Sequence, residues 1–364
     1  MSKIRIATFN VENLFRRAKA INLSNHDLAT DKLKAIYELQ KQLKKKKYDS
    51  KTKTKIINAY KKAKGYVGFN IFTKKSGWGR YLITQNKAGK YTVHPKGSGD
   101  WLGVVTFTRE KFSDAGDKNT AKVIKDIKAD ILCMVEVEDR LVLKQFNADR
   151  LKYMYAESML IDGNDQRGID VGIYTKFRIG QVWTNIFDGT RKSRTFPRDC
   201  LEVQIALNNG EYIYFLINHF TSKAGGSKTA ARRKKQATRV RQILNNDYDL
   251  TKDKVVVAGD FNDTPDSASL SPLLSMNDLH DVLDLEFPNN LAKKWTYHYK
   301  KNEQIDYLLV STPLANVFQQ AGVFRKGMPD LKVNSGGKEK PYNSVTSWRD
   351  AASDHGAVWA DFDI

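Results

Sequence analysis

The sequence predicts an α+β fold in which two packed β-sheets are flanked by helices. Short apolar segments rich in β-branched residues recur along the chain, and amphipathic segments with helical spacing lie between them. Strands interspersed with helices in this way favour two layers of sheet with helices outside. The longest apolar runs, such as 131–135 and 255–258, are far shorter than the roughly 20 residues of a membrane span. No transmembrane segment and no membrane partner are expected.

Composition indicates a folded, basic protein. The chain has 364 residues, is 41% hydrophobic, and contains 17 Phe, 16 Tyr and 6 Trp. Disordered chains lack the large apolar side chains that offset ordering entropy. Cys133 and Cys200 lie in apolar, strand-like segments, which favours reduced core thiols over a disulfide. The amino terminus enters a strand pattern without a secretory signal, so we expect a cytoplasmic protein unless a signal has been removed.

The first third of the chain contains one strand and a long basic segment. Residues 4–8 alternate apolar and polar side chains, which predicts a half-buried strand ending at Asn10. Apolar residues recur at helical spacing over 31–64 with an interruption at 44–55, which predicts a hairpin of two basic helices. The glycine-rich segment 65–117 is predicted to be a long, irregular excursion without a core of its own, and loops of this length are usually functional or mobile.

Strand and helix patterns alternate from residue 119 onward. The Asn-Asn-Gly sequence at 208–210 is typical of a hairpin turn. The apolar periodicity predicts helices at 119–128, 139–153 and 228–245. It predicts strands at 131–135, 168–174, 179–187, 201–207, 212–217, 255–258, 305–311 and 357–362.

Two segments account for the whole net charge of +20. Residues 16–64 have a surplus of 12 Lys and Arg over Asp and Glu, and residues 223–241 have a surplus of 8. Concentrated positive charge favours polyanions, because each neutralised phosphate releases condensed counterions. A lysine-rich face that only keeps the protein soluble, or one that contacts an acidic membrane, would give the same pattern. The charge favours nucleic acid among these three.

A set of polar residues lies at the ends of the predicted strands. Most of them end or follow a strand, whereas Asp306 opens the strand at 305–311 and Asp354-His355 precedes the strand at 357–362. A single Asp in a turn usually hydrogen-bonds its own backbone. Strand ends converge on one rim of a layered fold, however, and a complete set at that rim predicts an active site. The set comprises Asn10, Glu136, His219, Asp260, Asn262, Asp306 and the pair Asp354-His355.

Six ordered motifs resemble those of the endonuclease/exonuclease/phosphatase superfamily, which includes DNase I, apurinic endonucleases, inositol polyphosphate phosphatases and neutral sphingomyelinases. The motifs are IATFNVENLF (6–15), DILCMVEV (130–137), INHF (217–220), GDFNDTP (259–265), IDYLL (305–309) and SDHG (353–356).

This resemblance, which extends over residues 3–15 and 119–364, implies a DNase I-like, four-layered sandwich of two mixed sheets between helices. It implies a single domain, 1–364. The lysine-rich helical and loop insertion at about 16–118 departs from compact members of the family, and our hypothesis is that it gates or selects the substrate. The bacterial-type nuclease branch is the expected one.

The resemblance also implies metal-assisted phosphoester hydrolysis. Asn10 and Glu136 match the metal-site pair of the family, with Glu12 and Asp354 as further oxygen ligands. An all-oxygen site suits Mg²⁺ or Mn²⁺ and not zinc, because hard cations prefer carboxylate and amide oxygens. The expected cofactor is therefore Mg²⁺ or Mn²⁺.

Catalytic roles follow from the same resemblance. Asp306 and His355 match a carboxylate–imidazole pair, and Asp260 and Asn262 match residues that orient the attacking water and the phosphate. Either Asp260 or His355 takes the proton of water, and the sequence leaves this open. His219 is typical of DNase-like and phosphatase members and not of apurinic endonucleases. Arg167 occupies a phosphate-contacting or ligand-orienting position, with Asp170 on the same wall.

Basic and aromatic side chains are the expected contacts of a nucleic acid. Aromatic rings in the insertion could stack on unpaired bases; the candidates are Trp78, Tyr81, Tyr91 and Trp101. The basic candidates are Lys44, Lys45, Lys46, Lys223, Lys228, Arg232, Arg233, Lys234 and Lys235.

The favoured hypothesis is a metal-dependent nuclease, endo- or exonucleolytic, that hydrolyses phosphodiester bonds by in-line attack of an activated water, with DNA as the expected polymer. The alternative is a phosphatase or phospholipase C-like phosphodiesterase acting on inositol phosphates or sphingomyelin. The segment before Asp306 lacks a Trp-Cys-Asp-Arg run, and the insertion looks too polar for an exposed apolar hairpin, which disfavours both branches. A binding module that has lost its chemistry is opposed by the intact polar set. No protein partner is identifiable.

Overall fold

The computed structural model describes residues 3–16, 18–20, 25–75, 79, 81–109 and 115–364. Its strands are β1 (Lys3–Leu14), β2 (Val67–Lys74), β3 (Ile83–Gln85), β4 (Tyr91–Val93), β5 (Trp101–Phe107), β6 (Ile131–Val137), β7 (Glu157–Leu160), β8 (Asp170–Thr175), β9 (Arg178–Trp183), β10 (Gly189–Thr190), β11 (Ser193–Arg194), β12 (Cys200–Ala206), β13 (Tyr212–His219), β14 (Val255–Asp260), β15 (Leu279–Asp281), β16 (Tyr297–His298), β17 (Asn302–Glu303), β18 (Asp306–Ser311), β19 (Phe318–Phe324) and β20 (Ala357–Asp363). Its α-helices are α1 (His26–Leu43), α2 (Ser50–Ala63), α3 (Ala115–Ile127), α4 (Arg140–Asp149), α5 (Ser227–Asp247), α6 (Ser271–Leu274), α7 (Val282–Glu286), α8 (Leu291–Lys294), α9 (Thr312–Ala315) and α10 (Leu331–Asn334).

The chain divides into two compact units. The first, which we call the sandwich unit, comprises Met1–Phe15 and Phe112–Ile364, and the second, the lysine-rich unit, comprises Arg16–Lys111. The assignment of the whole chain to one domain with an insertion stays a prediction.

Two mixed six-stranded sheets form the centre of the sandwich unit. One has the strand order β19-β20-β1-β6-β8-β7 and the other β15-β18-β14-β13-β12-β9. Their facing surfaces share one apolar core, in which Ile6 and Val135 of the first sheet lie with Phe215 and Val256 of the second. Burial of this surface stabilises the face-to-face packing of the sheets.

Helices cover the outer face of each sheet. Phe9 and Met134, on the outer face of the first sheet, share a core with residues of α3 and α4. Leu216 and Val257 of the second sheet share another with Ala237, Val240 and Leu244 of α5. The predicted four-layered α/β/β/α sandwich is confirmed. The sequence reading missed β7, β15 and β19, which are short or lie at sheet edges.

The lysine-rich unit has its own core. Helices α1 and α2, the β2–β5 ribbon and the β3–β4 hairpin enclose apolar side chains that include Leu39, Ile56, Leu82 and Val93. The prediction of an irregular excursion without a core is wrong, because alternate residues of β2 and β5, such as Phe69 and Val105, pack against this cluster. Two of the four aromatic residues predicted to stack on bases, Tyr91 and Trp101, pack against this core instead. Tyr81 is 61% exposed, and Trp78 lies outside the described residues.

Capping explains why α2 begins earlier than predicted. The Asp49 side chain accepts a hydrogen bond from the backbone N–H of Thr52 at 2.7 Å, which satisfies a donor that the first turn leaves free. The helix therefore starts at Ser50, inside the lysine-rich stretch that the sequence reading took as an interruption.

One face of the β2–β5 ribbon is apolar and exposed. Phe72 and Leu102 are each 62% exposed, and Val104 is 45% exposed. We call these three residues the apolar ribbon face. The expectation that the insertion is too polar for an exposed apolar hairpin is wrong on this point.

Within the described part of the chain, none of the helices combines the length and the apolar character needed to cross a bilayer. Cys133 and Cys200 are free, buried thiols, as predicted.

Candidate active site

Strand register brings the predicted polar residues together. In the second sheet His219 pairs with Asp260 across the parallel β13–β14 ladder, and Asp260 pairs with Asp306 across the antiparallel β14–β18 ladder. In the first sheet β1 and β6 run parallel, with Asn10 opposite Val135, so that Asn10 and Glu136 are neighbours. Because β1 also contacts β14 and β18 across the sandwich, both sets occupy one rim.

Gly259 allows β14 to pass close to β13 immediately before Asp260. Its φ is +132°, and a Cβ there would lie 1.9 Å from the carbonyl oxygen of Asn218. Any side chain would therefore separate β13 from β14 just before Asp260.

Asp260 is fixed by three hydrogen bonds. Its Oδ1 accepts from the backbone N–H of Asn262 at 2.8 Å, and its Oδ2 accepts from the side-chain amides of Asn262 at 3.0 Å and Asn10 at 3.1 Å. Burial raises the pKa of Asp260, and the nearby Asp306 charge adds to this effect. A buried, oriented carboxyl with a raised pKa is the usual form of a general acid or base.

Asp306 and His355 form a buried pair. The Nδ1 of His355 lies 2.8 Å from Oδ2 of Asp306, which places the second ring nitrogen toward Asp354, 3.7 Å away. Burial alone would lower the pKa of His355, but Asp306 and Asp354 raise it well above the usual histidine range. The two carboxylates therefore favour the protonated imidazole.

Two residues that the sequence reading did not single out hold this pair. Ser353 donates its hydroxyl to the carbonyl oxygen of Asn10 at 2.7 Å and accepts from the backbone N–H of His355 at 2.9 Å. Thr296 accepts from the backbone N–H of Asp306 at 3.1 Å. Ser353 belongs to the SDHG motif, but its hydrogen bond to Asn10 joins segments that are far apart in the chain, and no local sequence pattern marks Thr296.

His219 has the opposite electrostatic character. Its Nε2 lies 3.7 Å from both Glu136 Oε1 and Asp260 Oδ2. Burial, and next the positive charge of Arg198, lower the pKa of His219 well below its usual value. The pKa values of the two imidazoles are thus shifted in opposite directions, a separation typical of groups with different catalytic tasks.

Glu136, Glu12 and Asp354 add carboxylates on the first-sheet side. Burial raises the pKa of Glu136. Although Glu12 as a residue is exposed, its carboxylate accepts from the backbone N–H of Asp354 at 3.1 Å, and partial burial with the Asp354 charge raises its pKa to about 7.

Three site residues have left-handed backbone. The φ angles are +46° for Glu12, +66° for Glu136 and +55° for Asn262. Residues other than glycine adopt this region rarely, and it occurs where a bulge redirects a side chain. The β1–β6 register shifts between Asn10 and Leu14, and the β6–β8 register shifts between Val135 and Val137.

Arg198 is a buried cation that the sequence reading missed. Only 4% of its side chain is exposed, its Nε lies 3.2 Å from Oδ2 of Asp165, and its charge acts on Asp260 and Glu136. The predicted Arg167 is instead 66% exposed and makes a bidentate pair with the same Asp165. Asp170 is buried at the start of β8, where it accepts from the backbone N–H of Gly163 at 3.0 Å.

Arg233 needs correction as a predicted nucleic-acid contact. The side chain is only 5% exposed, pairs with Asp263 at 2.9 Å and donates to the carbonyl oxygens of Thr221 and Ser222. Its guanidinium is used inside the fold, where it joins the segments that follow His219 and Asn262. Arg233 lies on the buried face of α5, and the number of basic residues in a helix does not indicate which of them are buried.

The other predicted basic contacts are on the surface. Lys223 is partly buried and pairs with Glu303 at 2.8 Å. The remaining candidates are exposed: Lys44, Lys45, Lys46, Lys228, Arg232, Lys234 and Lys235.

The side chains present fit a hard divalent cation. Asn10, Glu136, Glu12 and Asp354 offer amide and carboxylate oxygens. Burial, and after it the charge of Asp354, raises the pKa values of Glu12 and Glu136, and a bound cation would favour their ionised forms. Among the described residues, Asp260, Asp306 and His355 also place ligand atoms within 4.8 Å of one another, but Nδ1 of His355 is taken up by Asp306 and a protonated imidazole does not bind a metal.

We expect the metal-free protein to lose stability as pH rises from about 5.5 to about 8, with Tm falling by roughly 5 °C or more. Carboxyls with raised pKa values keep a proton in the folded state that the unfolded chain has released, so folding becomes less favourable as pH rises toward 7. His355, whose pKa is also raised, acts in the same direction, whereas His219 opposes it below about pH 6.5. The other buried carboxyls with raised pKa values are Asp170, Asp199 and Asp281.

Differential scanning fluorimetry in EDTA checks this expectation, and Mg²⁺ at pH 8 should restore most of the lost Tm. A Tm in EDTA that is constant or rises over this range would contradict it.

The family model described as "Endonuclease/Exonuclease/phosphatase family" matches residues 90–359. Among solved structures, a protein of that family from Bacteroides thetaiotaomicron is 13% identical, with 100% of this chain and 99% of that chain covered and a TM-score of 0.51. Humanized D. rerio TDP2 is 15% identical over 69% of this chain and 92% of that chain, with a TM-score of 0.50. SmcL is 16% identical over 69% and 93%, with a TM-score of 0.50. A search of curated proteins finds no match.

Two mixed sheets between helices, with polar strand ends gathered at one rim, define the DNase I-like class of fold. The structural likenesses, at their low identities, support this fold alone. The chain belongs to the endonuclease/exonuclease/phosphatase family, because the family model matches most of its length. The family predicted from the six motifs is confirmed, and the bacterial-type nuclease branch stays a prediction.

Proposed function

We propose that this chain is a Mg²⁺- or Mn²⁺-dependent nuclease that hydrolyses phosphodiester bonds of nucleic acid, with DNA as the preferred polymer. The observation that carries the choice of substrate is the distribution of charge between the two units. Residues 16–111 contain 24 Lys and Arg against 6 Asp and Glu, whereas the sandwich unit contains 37 against 35. A compact unit with a surplus of 18 positive charges favours a polyanionic substrate.

We assign a separate role in the hydrolysis to each of several side chains at the rim. Asp260, which Asn262 and Asn10 orient, is our candidate for the group that takes the proton of the attacking water. The raised pKa of His355 favours its protonated form, which suits stabilisation of negative charge at the phosphoryl group better than proton acceptance. Asp306 holds the ring orientation of His355. Arg198 and Arg167 supply positive charge for the phosphate from the Asp165 side.

Asn10 and Glu136, with Glu12 and Asp354, are our candidates for holding the divalent cation. When bound, such a cation polarises a phosphoryl oxygen and neutralises charge that builds up in the transition state.

We expect activity on DNA to fall steeply with salt. Raising monovalent salt from about 50 mM to about 200 mM should lower kcat/KM by at least roughly tenfold, because phosphate contacts displace counterions that salt restores. The measurement is the nicking rate of plasmid DNA with Mg²⁺ or Mn²⁺, and EDTA should abolish it. A product ladder from end-labelled single-stranded and duplex DNA would identify endo- or exonucleolytic action.

A small phosphodiester such as bis(p-nitrophenyl) phosphate serves as the control, because its single charge releases few counterions and its hydrolysis should depend only weakly on salt. Equal salt dependence of both substrates would remove the electrostatic argument for nucleic acid. Release of phosphate from inositol polyphosphates without any DNA cleavage would contradict the nuclease proposal itself.

A second candidate function is a phosphodiesterase that acts on a phospholipid such as sphingomyelin. The apolar ribbon face favours it, because Phe72, Leu102 and Val104 expose apolar surface next to lysines such as Lys74, and apolar side chains among basic residues suit a lipid interface. Phosphocholine release from sphingomyelin vesicles at a higher kcat/KM than DNA cleavage would favour this second candidate.

A further inference from the structure

A cavity of about 510 Å³ in the sandwich unit is lined by four lysines and lies apart from the rim residues described above. The lysines are Lys122 on α3, Lys326 after β19, and Lys338 and Lys340 in the segment that follows α10. Its volume lies within the range of small-molecule sites, and it is open to solvent.

The charge around this cavity is unbalanced. The sandwich unit as a whole has nearly equal numbers of basic and acidic residues, so a group of four lysines departs from its average. Glu339, the acid in the lining, pairs with Arg325 at 2.8 Å. Within the described parts of the chain, none of the four ammonium groups lies within 4.0 Å of a carboxylate oxygen. Like charges gathered without counter-charges repel one another, and a bound anion would relieve that repulsion.

The cavity wall is held in place by packing and hydrogen bonds. The ammonium group of Lys122 lies 3.9 Å from the ring centre of Tyr342, and the Tyr342 hydroxyl donates to Asp126 at 2.6 Å. Tyr342 also donates its backbone N–H to the carbonyl oxygen of Lys326 at 2.8 Å. Three chain segments that carry lysines are therefore joined through one buried tyrosine, and the site is largely preformed.

Hydrogen bonds connect the wall of this cavity to the segment that carries His355. Thr120 on α3 donates to the carbonyl oxygen of Ala352 at 2.9 Å, and the backbone N–H of Ala352 donates to Gly327 at 2.8 Å. Ala352 is followed by Ser353, which fixes His355.

We propose that this cavity is a binding site for a phosphate-rich anion. Lysine ammonium groups are compact point charges that suit phosphate oxygens. Four of them around one small cavity match several phosphates close together. Two sources share this chemistry: a soluble oligophosphate, and consecutive phosphates of a nucleic-acid strand. The proposal does not depend on the nuclease activity.

Titration calorimetry with inorganic tripolyphosphate, in EDTA and at low salt, tests the site. The double variant Lys326→Ala/Lys340→Ala should bind it about tenfold more weakly than the unchanged protein, since two of four charges are lost. The control is Lys144→Ala/Lys192→Ala, which removes the same charge from exposed positions elsewhere in the sandwich unit and should change affinity by less than about twofold. All four lysines are exposed, so both variants are expected to fold, which thermal melts would verify.

A second titration, with a short single-stranded oligonucleotide, distinguishes the two sources. Weaker tripolyphosphate binding by the cavity variant alone indicates a soluble oligophosphate, and weaker oligonucleotide binding alone indicates phosphates of a strand; a loss of both supports the shared chemistry. If the cavity variant binds both ligands as the control variant does, the proposal is wrong.

Discussion

Replacement of Glu136 by glutamine is expected to lower kcat on DNA by roughly 10²- to 10⁴-fold, with KM changed much less. The amide has the same shape as the carboxylate but lacks its charge, so the cluster of Glu136, Glu12 and Asp354 loses attraction for a cation. Because Glu136 also lies 3.7 Å from His219, its charge contributes to the electrostatics of both sheets at the rim.

The measurement is single-turnover cleavage at increasing Mg²⁺, in which the variant should require a higher metal concentration. Asp149→Asn, which removes one exposed carboxylate at the end of α4, is the matched control and should retain full activity. Wild-type kcat and metal dependence in the Glu136 variant would exclude this residue from the metal site.

His355→Ala and Asp306→Asn are each expected to lower kcat by about 10²- to 10⁴-fold, and the double variant should be scarcely slower than His355→Ala. The reason is the 2.8 Å contact between the two side chains: Asp306 acts through the imidazole, so its loss has little further effect once the ring is gone. A neutral asparagine would also no longer stabilise the cationic form of His355, so the pH profile of kcat should shift to lower pH.

A double-mutant cycle on kcat, with a pH–rate profile for Asp306→Asn, checks both statements. Thermal melts show whether a variant still folds, since His355→Ala leaves the Asp306 carboxylate buried without its partner. Losses that simply multiply in the double variant would show that the two residues act independently.

The residues at the rim could be predicted from the sequence because each stands beside a recognisable strand segment. Asn10, Glu136 and Asp260 each follow or end an apolar segment that must be a buried strand, and strand ends meet at an edge of the sheet. The cross-strand pairing of Asp260 with Asp306 in the second sheet depends on the β14–β18 register as well, which no single segment contains.

The supporting residues could not be predicted, for a physical reason. Ser353, Thr296 and Arg198 act on atoms far away in the chain, and serine, threonine and arginine at such positions usually contact solvent or their own backbone. Arg233 was wrongly predicted to be a surface contact. It belongs to a basic helix, but its side chain lies on the inward face of α5. The core of the lysine-rich unit could not be predicted because the many lysines and glycines of this segment obscure the alternation of apolar residues in β2 and β5.

The left-handed backbone at Glu12, Glu136 and Asn262 has a consequence for protein engineering. Each such residue costs about 1 kcal/mol relative to glycine, which adopts this geometry without a Cβ clash. At Asn262 the loss of the side-chain hydrogen bond to Asp260 would offset this gain. At Glu12 and Glu136 a laboratory selection for heat resistance alone is therefore expected to enrich glycine, at the expense of the carboxylates that we assign to the metal.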